Sequence, residues 1–470
     1  MAGTKQSTKK RKAAPVEKEA ARPDPLDVRR GPARMVMIVL SFLFLFLTAG
    51  YNHTTPYESP AQTERFDGGQ TNPDEHGHMA YITELAHGHL PVFRVGGQDY
   101  EAHQPPLYYL LCEPLYLIAR HSGEAGAATA VRWVSVLLGL ALAWVVFFLI
   151  ADLFPERPWI AVCSAGFVGL LPMNMSLCAS VTNDTLTNLI VALGLWQIVR
   201  VAKGICRRPH SALILGAILG LGIWTKTSTL VLFPAVLVAY WLLARAGVMS
   251  SSDAIKRALI ACSFGLLIGL PWLIRNTQLY GDPLARHIFV SAFQNTAKTA
   301  VMIHVFGSLP SYISGVAQWT FASFWGVFDS MNWFWGRDPQ DYGNQGFFLH
   351  PPPVIYSLLA VVSVISLIGL LRYFKKEPPE PSQNAALGAF LTLIVMTLLA
   401  FVAFNITFFQ AQGRYLYTAL APMAFFFVVG LQALAPRRKA RQAMAIFFFL
   451  LLIGLNFFSI AMLSARFGTG

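Results

Sequence analysis

Between residues 72 and 78 the chain reads Asn72-Pro73-Asp74-Glu75-His76-Gly77-His78, two acids and two imidazoles in a sequence that is 55% hydrophobic and 13% charged. A carboxylate just outside an apolar run can stay ionised and take a proton, and an adjoining acid can tune its pKa or hold a substrate. On a helix Asp74 and His78 stand four apart on one face, and Glu75 and His78 three apart. A second reading is local. Asp74 follows Pro73 at the start of a helical pattern, where Asp commonly caps the first turn. Capping accounts for one acid, not for its neighbour and two histidines. A third reading is a divalent metal. His76 and His78 are two apart and diverge on a helix, unlike the histidine pair of zinc proteases. Asp74 and His78 could still supply two ligands and Asp184 a third.

The elements that must position these groups are membrane spans. The chain has 470 residues, a net charge of +12 and a positive mean hydropathy. Continuous apolar runs of about 17–25 residues match the hydrocarbon core of a bilayer, whereas a β-barrel needs alternation. The fold class is therefore all-α and polytopic, with the bilayer as a partner. Eleven spans are predicted, at about Met35–Gly50, Ala128–Ile150, Trp159–Met173, Thr185–Val201, Ala212–Trp224, Leu230–Leu243, Ala258–Ile274, Val354–Leu371, Ala385–Phe408, Tyr415–Ala433 and Ala443–Leu463. Residues 1–34 form a basic tail of disordered composition rather than a cleavable signal. Before a span such a tail holds the cytoplasmic side or touches anionic lipid, and no nucleic-acid partner is inferred. Residues 35–470 form the transmembrane domain.

With the N-terminus inside, the tail and the connections Asp152–Pro158, Ala202–Ser211, Ala244–Arg257, Arg372–Asn384 and Ala435–Gln442 carry most of the 36 Lys and Arg residues. That is the asymmetry expected of cytoplasmic loops. Regions 51–127 and 276–353 then face outward, with the short turns at 174–184, 225–229 and 410–414. In the first outer region, Glu75–Leu90 and Leu107–Ala119 read as two short amphipathic helices at the outer membrane surface. The second holds Trp319, Phe321, Phe324, Trp325, Phe328, Trp333, Phe334 and Trp335. They read as an interfacial belt or as a wall for a sugar or lipid head. The five cysteines are scattered, and neither a disulfide nor a zinc site is inferred.

Three cations, Lys226, Arg275 and Arg414, fall near the outer boundary, against the charge bias. Snorkelling to the interface is one account. An anionic partner, such as a lipid-linked phosphate or pyrophosphate, accounts for all three at once. Asp184 ends a turn at the same membrane face as Asp74, either as a helix cap or as a second acid. His103 and Gln104 are held just before Pro105-Pro106, which starts a helix rich in Leu and Tyr.

These pieces together resemble bacterial membrane glycosyltransferases of the GT-C fold. The resemblance rests on Asp74-Glu75-xx-His78, Gly88-His89-Leu90-Pro91 and His103-Gln104-Pro105-Pro106-Leu107-Tyr108-Tyr109. It continues through Asn183-Asp184, Thr225-Lys226, Pro271-Trp272-Leu273-Ile274-Arg275-Asn276, Tyr280-Gly281-Asp282-Pro283, Ser323-Phe324-Trp325-Gly326 and Gln412-Gly413-Arg414-Tyr415-Leu416. It is similar at greater distance to the protein O-mannosyltransferases and the lipid A aminoarabinose transferase. The resemblance implies a sugar moved from a polyprenyl-phosphate donor to a glycan, lipid or protein acceptor at the outer face of the bacterial cytoplasmic membrane, with inversion. It makes Asp74 and Glu75 the catalytic pair. It makes His78, His103, Gln104, Asp184, Lys226, Arg275, Arg414 and Tyr415 the substrate-binding set. A large C-terminal soluble domain, carried by some members, is not expected.

The rival readings are a flippase or transporter of a lipid-linked glycan and a metal-dependent lipid phosphatase or hydrolase. Transporters gather polar groups near the bilayer midplane. Here they gather at one face, which favours an enzyme.

Overall fold

The computed structural model describes residues 31–57, 72–96, 100–206, 210–293, 298–328, 353–376, 379–435 and 437–467. Nearly all of the basic tail lies outside them, as do Trp333, Phe334 and Trp335. Pro32–Arg34 are helical rather than part of a tail. The first helix, α1, runs Pro32–Thr54 with proline in its first turn, where the missing N–H has no intrahelical partner to lose.

Helix follows helix from there. The segment after α1 holds α2 (Glu75–Ala86) and α3 (Leu107–Ala119). After a 3-10 turn, α4 (Gly123–Leu153) crosses the bundle. It is followed by α5 (Pro158–Leu170), α6 (Pro172–Cys178), α7 (Asp184–Ala202), α8 (His210–Ile223), α9 (Leu232–Arg245) and α10 (Ser251–Tyr280). Next come α11 (Arg286–Ala292), α12 (Thr299–Val305) and α13 (Leu309–Trp325). The last four are α14 (Pro353–Lys376), α15 (Pro381–Thr407), α16 (Leu420–Ala433) and α17 (Arg438–Phe467).

Among the described residues nine helices are long and apolar enough to cross a membrane, or up to eleven if each bent pair counts as one span. One expected span, Trp159–Met173, is broken: α5 and α6 meet at 62°, where Pro172 supplies no amide hydrogen. Another, Ala212–Trp224, is only the 14-residue α8, roughly 21 Å at 1.5 Å per residue. The second bent pair, α12 and α13 at 104°, lies within the region expected to face outward. The two helices of the first outer region are present. α3, which is strongly apolar, joins α4 in one 47-residue stretch.

Large apolar side chains are exposed along α1 (Met35, Val39, Phe42, Phe46), α10 (Leu259, Leu267) and α15 (Leu399, Val402). They form the surface a hydrocarbon solvent would cover. Inside, polar pairs tie helices together. Tyr51 donates to Asn456 Oδ1 at 2.9 Å, joining α1 to α17, and Trp196 donates to Asp152 Oδ2 at 2.8 Å, joining α7 to α4. The chain is a multi-pass membrane protein, and a cluster of charged side chains gathers at one end of the bundle.

Candidate active site

Four charged side chains from four separate elements meet at that end. Asp74 immediately precedes α2, with its backbone in the left-handed region at φ 61° and no side-chain capping bond. Its Oδ2 instead accepts a hydrogen bond from Arg414 Nη2 at 2.5 Å. Arg414 Nη1 stands 3.6 Å from Asp184 Oδ2. Asp184, the first residue of α7, accepts through Oδ1 from Lys226 Nζ at 2.5 Å. Lys226 also donates to Asn183 Oδ1 at 3.1 Å. The result is an alternating chain, Asp74–Arg414–Asp184–Lys226, whose formal charges cancel.

Exposure differs along it. The Asp74 side chain is 35% exposed, against 5% for Arg414 and 12% for Asp184. Asp74 is thus the carboxylate at the mouth. Burial acts to raise its pKa, but the charge and hydrogen bond of Arg414 hold it below the ordinary carboxylate range.

Arg414 is aimed by its neighbours. It donates through Nε to Gln412 Oε1 at 2.7 Å. The residue between them, Gly413, donates its backbone N–H to Ser323 Oγ on α13 at 2.8 Å. A Cβ at Gly413 would collide with the backbone N and Cα of Phe324, so only glycine lets this turn seat against α13. Tyr415 lies beside Arg414, with the guanidinium carbon 5.2 Å from its ring centroid.

Glu75 points elsewhere. It is buried and takes a two-pronged contact from Arg132 on α4, at 2.7 Å from Nε and 2.6 Å from Nη2. Asn72 Nδ2 donates to it at 3.0 Å and the Val181 backbone N–H at 2.8 Å. Burial acts to raise its pKa, yet these contacts, with Arg132 foremost, hold the carboxyl ionised and below its usual range. Arg132 also donates to Thr55 O at 2.6 Å and Asn52 Oδ1 at 3.1 Å. The adjacent acids therefore diverge: Asp74 faces the mouth, and Glu75 bolts α2 to α1, α4 and the turn before α7. Arg132 was not among the expected site residues. A lone Arg inside an apolar run is costly unless paired, and that was its legible signal.

Behind Asp74, His78 Nδ1 lies 2.9 Å from the Tyr109 hydroxyl, and Tyr109 stacks on Tyr81 with ring centroids 3.8 Å apart. Burial lowers the His78 pKa, favouring the neutral ring. Gly77 is required where it stands, because a Cβ there would meet Glu101 Cγ at 2.7 Å and the Tyr100 ring at 2.8 Å. Its absence brings Glu101 against α2. Glu101 is buried, its Oε2 has no partner among the described residues, and burial pushes its carboxyl above the ordinary range. Gln104 is buried in the same turn, and its carbonyl accepts from the Tyr81 hydroxyl at 3.1 Å. His103 is held by Tyr100 O at 2.9 Å, between the rings of Phe93 and Phe289. Burial drives its pKa down to about 4.

Lys226 and Arg414 thus join the acids as a group. Arg275 does not share in the ion chain. Its Nη2 donates to Pro91 O at 2.6 Å and its guanidinium stacks over Trp272, so it fastens the segment after α2. The candidate metal set of Asp74, His78 and Asp184 is not assembled either. Among the described residues no group of three His, Cys, Asp or Glu could hold a metal ion, and Arg414 stands between Asp74 and Asp184.

Residues 103–274 match the dolichyl-phosphate-mannose-protein mannosyltransferase family. No curated protein sequence matches the chain. The fold is similar to that of the Archaeoglobus fulgidus oligosaccharyltransferase solved with a tethered acceptor peptide. The TM-score is 0.54, with 15% identity over 93% of this chain and 55% of that one. It is similar also to the AglB oligosaccharyltransferase of the same organism in complex with an inhibitory peptide and a dolichol-phosphate (TM-score 0.51, 14% identity, 93% and 56% of the two chains). The chain spans little more than half the length of these enzymes. The likeness to these membrane enzymes is one of fold, and the family match lies within residues 103–274.

Proposed function

We propose that this protein transfers a sugar from a polyprenyl-phosphate donor to an acceptor hydroxyl at the outer face of a bacterial cytoplasmic membrane. The observation that carries this reading is the chain Asp74–Arg414–Asp184–Lys226, with its most exposed carboxylate at the mouth. The family matched over residues 103–274 bears the name of a dolichyl-phosphate-mannose enzyme. The similar fold of AglB was solved with a dolichol-phosphate. Both support a lipid-phosphate donor. The outward placement is supported by the basic connections at the opposite end of the bundle.

In this mechanism the acceptor oxygen bonds to the anomeric carbon as the bond from that carbon to the phosphate oxygen breaks. The acceptor proton passes to Asp74, and polyprenyl phosphate leaves with the electron pair. A single displacement inverts the anomeric centre. Asp74 clamped by Arg414 is a weak base. A donor phosphate that draws Arg414 and Lys226 toward itself loosens that clamp and makes Asp74 more basic as the donor seats. The same cations then stabilise the departing phosphate. Asp184 holds the two cations apart and in register. Glu75 positions rather than reacts.

The test is transfer from a radiolabelled polyprenyl-phosphate hexose in proteoliposomes with membrane acceptors. Asp74→Asn should lower transfer at least 100-fold while thermal unfolding in detergent stays near that of the parent. Transfer at the parent rate by Asp74→Asn would sink the assignment.

A further inference from the structure

The end of the bundle opposite the ion chain carries a cavity of about 740 Å³ that the reaction does not use. α4 shows the separation. From Arg132 to Leu153 it runs roughly 30 Å at 1.5 Å per residue, and the chain then enters the cavity wall at Glu156 and Arg157. The apolar wall comes from α5, α16 and α17, with Ile160, Val162, Val429, Ala445 and Phe449 among its residues. Three arginines from three separate elements stand at the cavity: Arg157 before α5, Arg372 on α14 and Arg441 on α17. One acid, Glu156, accompanies them.

The arginines are placed rather than scattered. Arg157 donates to the Tyr373 hydroxyl at 3.2 Å, with its guanidinium 5.8 Å from that ring centroid. Arg441 donates through Nε to Ala435 O at 2.9 Å. Arg372 and Arg441 are exposed at the rim, while Val162, Cys163 and Val429 are buried at the wall. The cavity thus has a cationic rim above an apolar interior.

We propose that this cavity is a binding site for an anionic phospholipid, its phosphate on Arg157, Arg372 and Arg441 and part of its acyl chain on the apolar wall. Basic pockets between membrane helices suit anionic head groups, and arginine suits phosphate oxygens. The volume falls in the range of sites for sizeable ligands and far exceeds an inorganic phosphate, since a water takes about 30 Å³. The chain's own N-terminal 30 residues are rich in Lys and Arg, the wrong sign for this rim. The site stands independently of the glycosyl-transfer reading.

The test is native mass spectrometry of the full chain released from detergent containing equal amounts of phosphatidylglycerol and phosphatidylcholine. Phosphatidylglycerol adducts should exceed phosphatidylcholine adducts at least fivefold. Arg372→Gln/Arg441→Gln should abolish that preference. Arg245→Gln/Lys256→Gln, which removes the same charge from exposed residues at the same end outside the cavity, should preserve it. Ala445→Trp, which narrows the cavity at its apolar wall and keeps every arginine, should also abolish it. Millimolar inorganic phosphate should leave the adducts in place. No preference in the parent, equal loss in the Arg245/Lys256 control, preference retained with Ala445→Trp, or displacement by phosphate would each overturn the proposal.

Discussion

Nη2 of Arg414 lies 2.5 Å from Oδ2 of Asp74, although the two residues are 340 positions apart in the chain. The contact closes the start of α2 onto the turn that leads into α16, and Asp184 sits on the other side of the same guanidinium. Arg414 is therefore a shared clamp for two acids from different elements.

A shared clamp needs a planar fork. Lysine keeps the charge but offers one point instead of two separated nitrogens. Arg414→Lys should weaken polyprenyl-phosphate binding at least tenfold, measured by tryptophan fluorescence or scintillation proximity in detergent. Affinity equal to that of the parent would return Arg414 to a purely internal role.

Glu75 and Arg132 should behave as a pair. Breaking a buried ion pair leaves an uncompensated charge and costs about 3–5 kcal/mol. Glu75→Gln and Arg132→Met should each lower the thermal midpoint and the folded yield in detergent. The double variant should lose less than the sum of the two. Strict additivity in a double-mutant cycle would contradict the pairing.

Acid should destabilise the protein through His103. Its pKa, near 6.5 when unfolded, falls to about 4 on burial. Between those values the unfolded chain binds the proton and the folded one does not, so this contribution to stability is present above about pH 6.5 and is lost as the pH falls toward 4. His103→Phe, which keeps a ring between Phe93 and Phe289, should flatten the fall in thermal midpoint between pH 7 and pH 5. An unchanged slope would place the acid sensitivity elsewhere.

Glu101 should act in the opposite sense. Burial raises its carboxyl above its ordinary 4.5, so the folded state favours the protonated form. This contribution is present below 4.5 and is lost as the pH climbs through the raised value. Glu101→Gln should remove that loss and leave the protein relatively more stable at neutral pH, as read by unfolding at pH 5 and pH 8.

Much of this arrangement was legible in the sequence, for identifiable reasons. Continuous apolar runs located the helices, because hydrocarbon thickness fixes their length. Lys226 and Arg414 stood out as cations against the charge bias. Asp74 stood out beside a span. Adjacency misled at Glu75: neighbouring residues share a sequence motif, yet at a helix start their side chains part, one to the mouth and one to Arg132. Arg275 misled in another way. It carries the same signal as Arg414, but its partner is the backbone carbonyl of Pro91, which no residue type announces. Glu101 lies two residues before the His103-Gln104 motif, but its burial depends on Gly77 and the close approach of the 100–104 turn. The breaks between α5 and α6 and between α12 and α13 were hidden because composition reports apolar length, not direction.

The left-handed backbone of Asp74 narrows the alphabet at that position. Asp, Asn and Gly enter this region readily, while longer side chains do so at a cost. Glutamate, the usual conservative exchange for aspartate, lacks the short polar side chain that suits this backbone region. Local geometry thus bears on the identity of this residue independently of the proton chemistry proposed for it. A drift to glutamate carries a backbone cost even where the reaction itself would tolerate it.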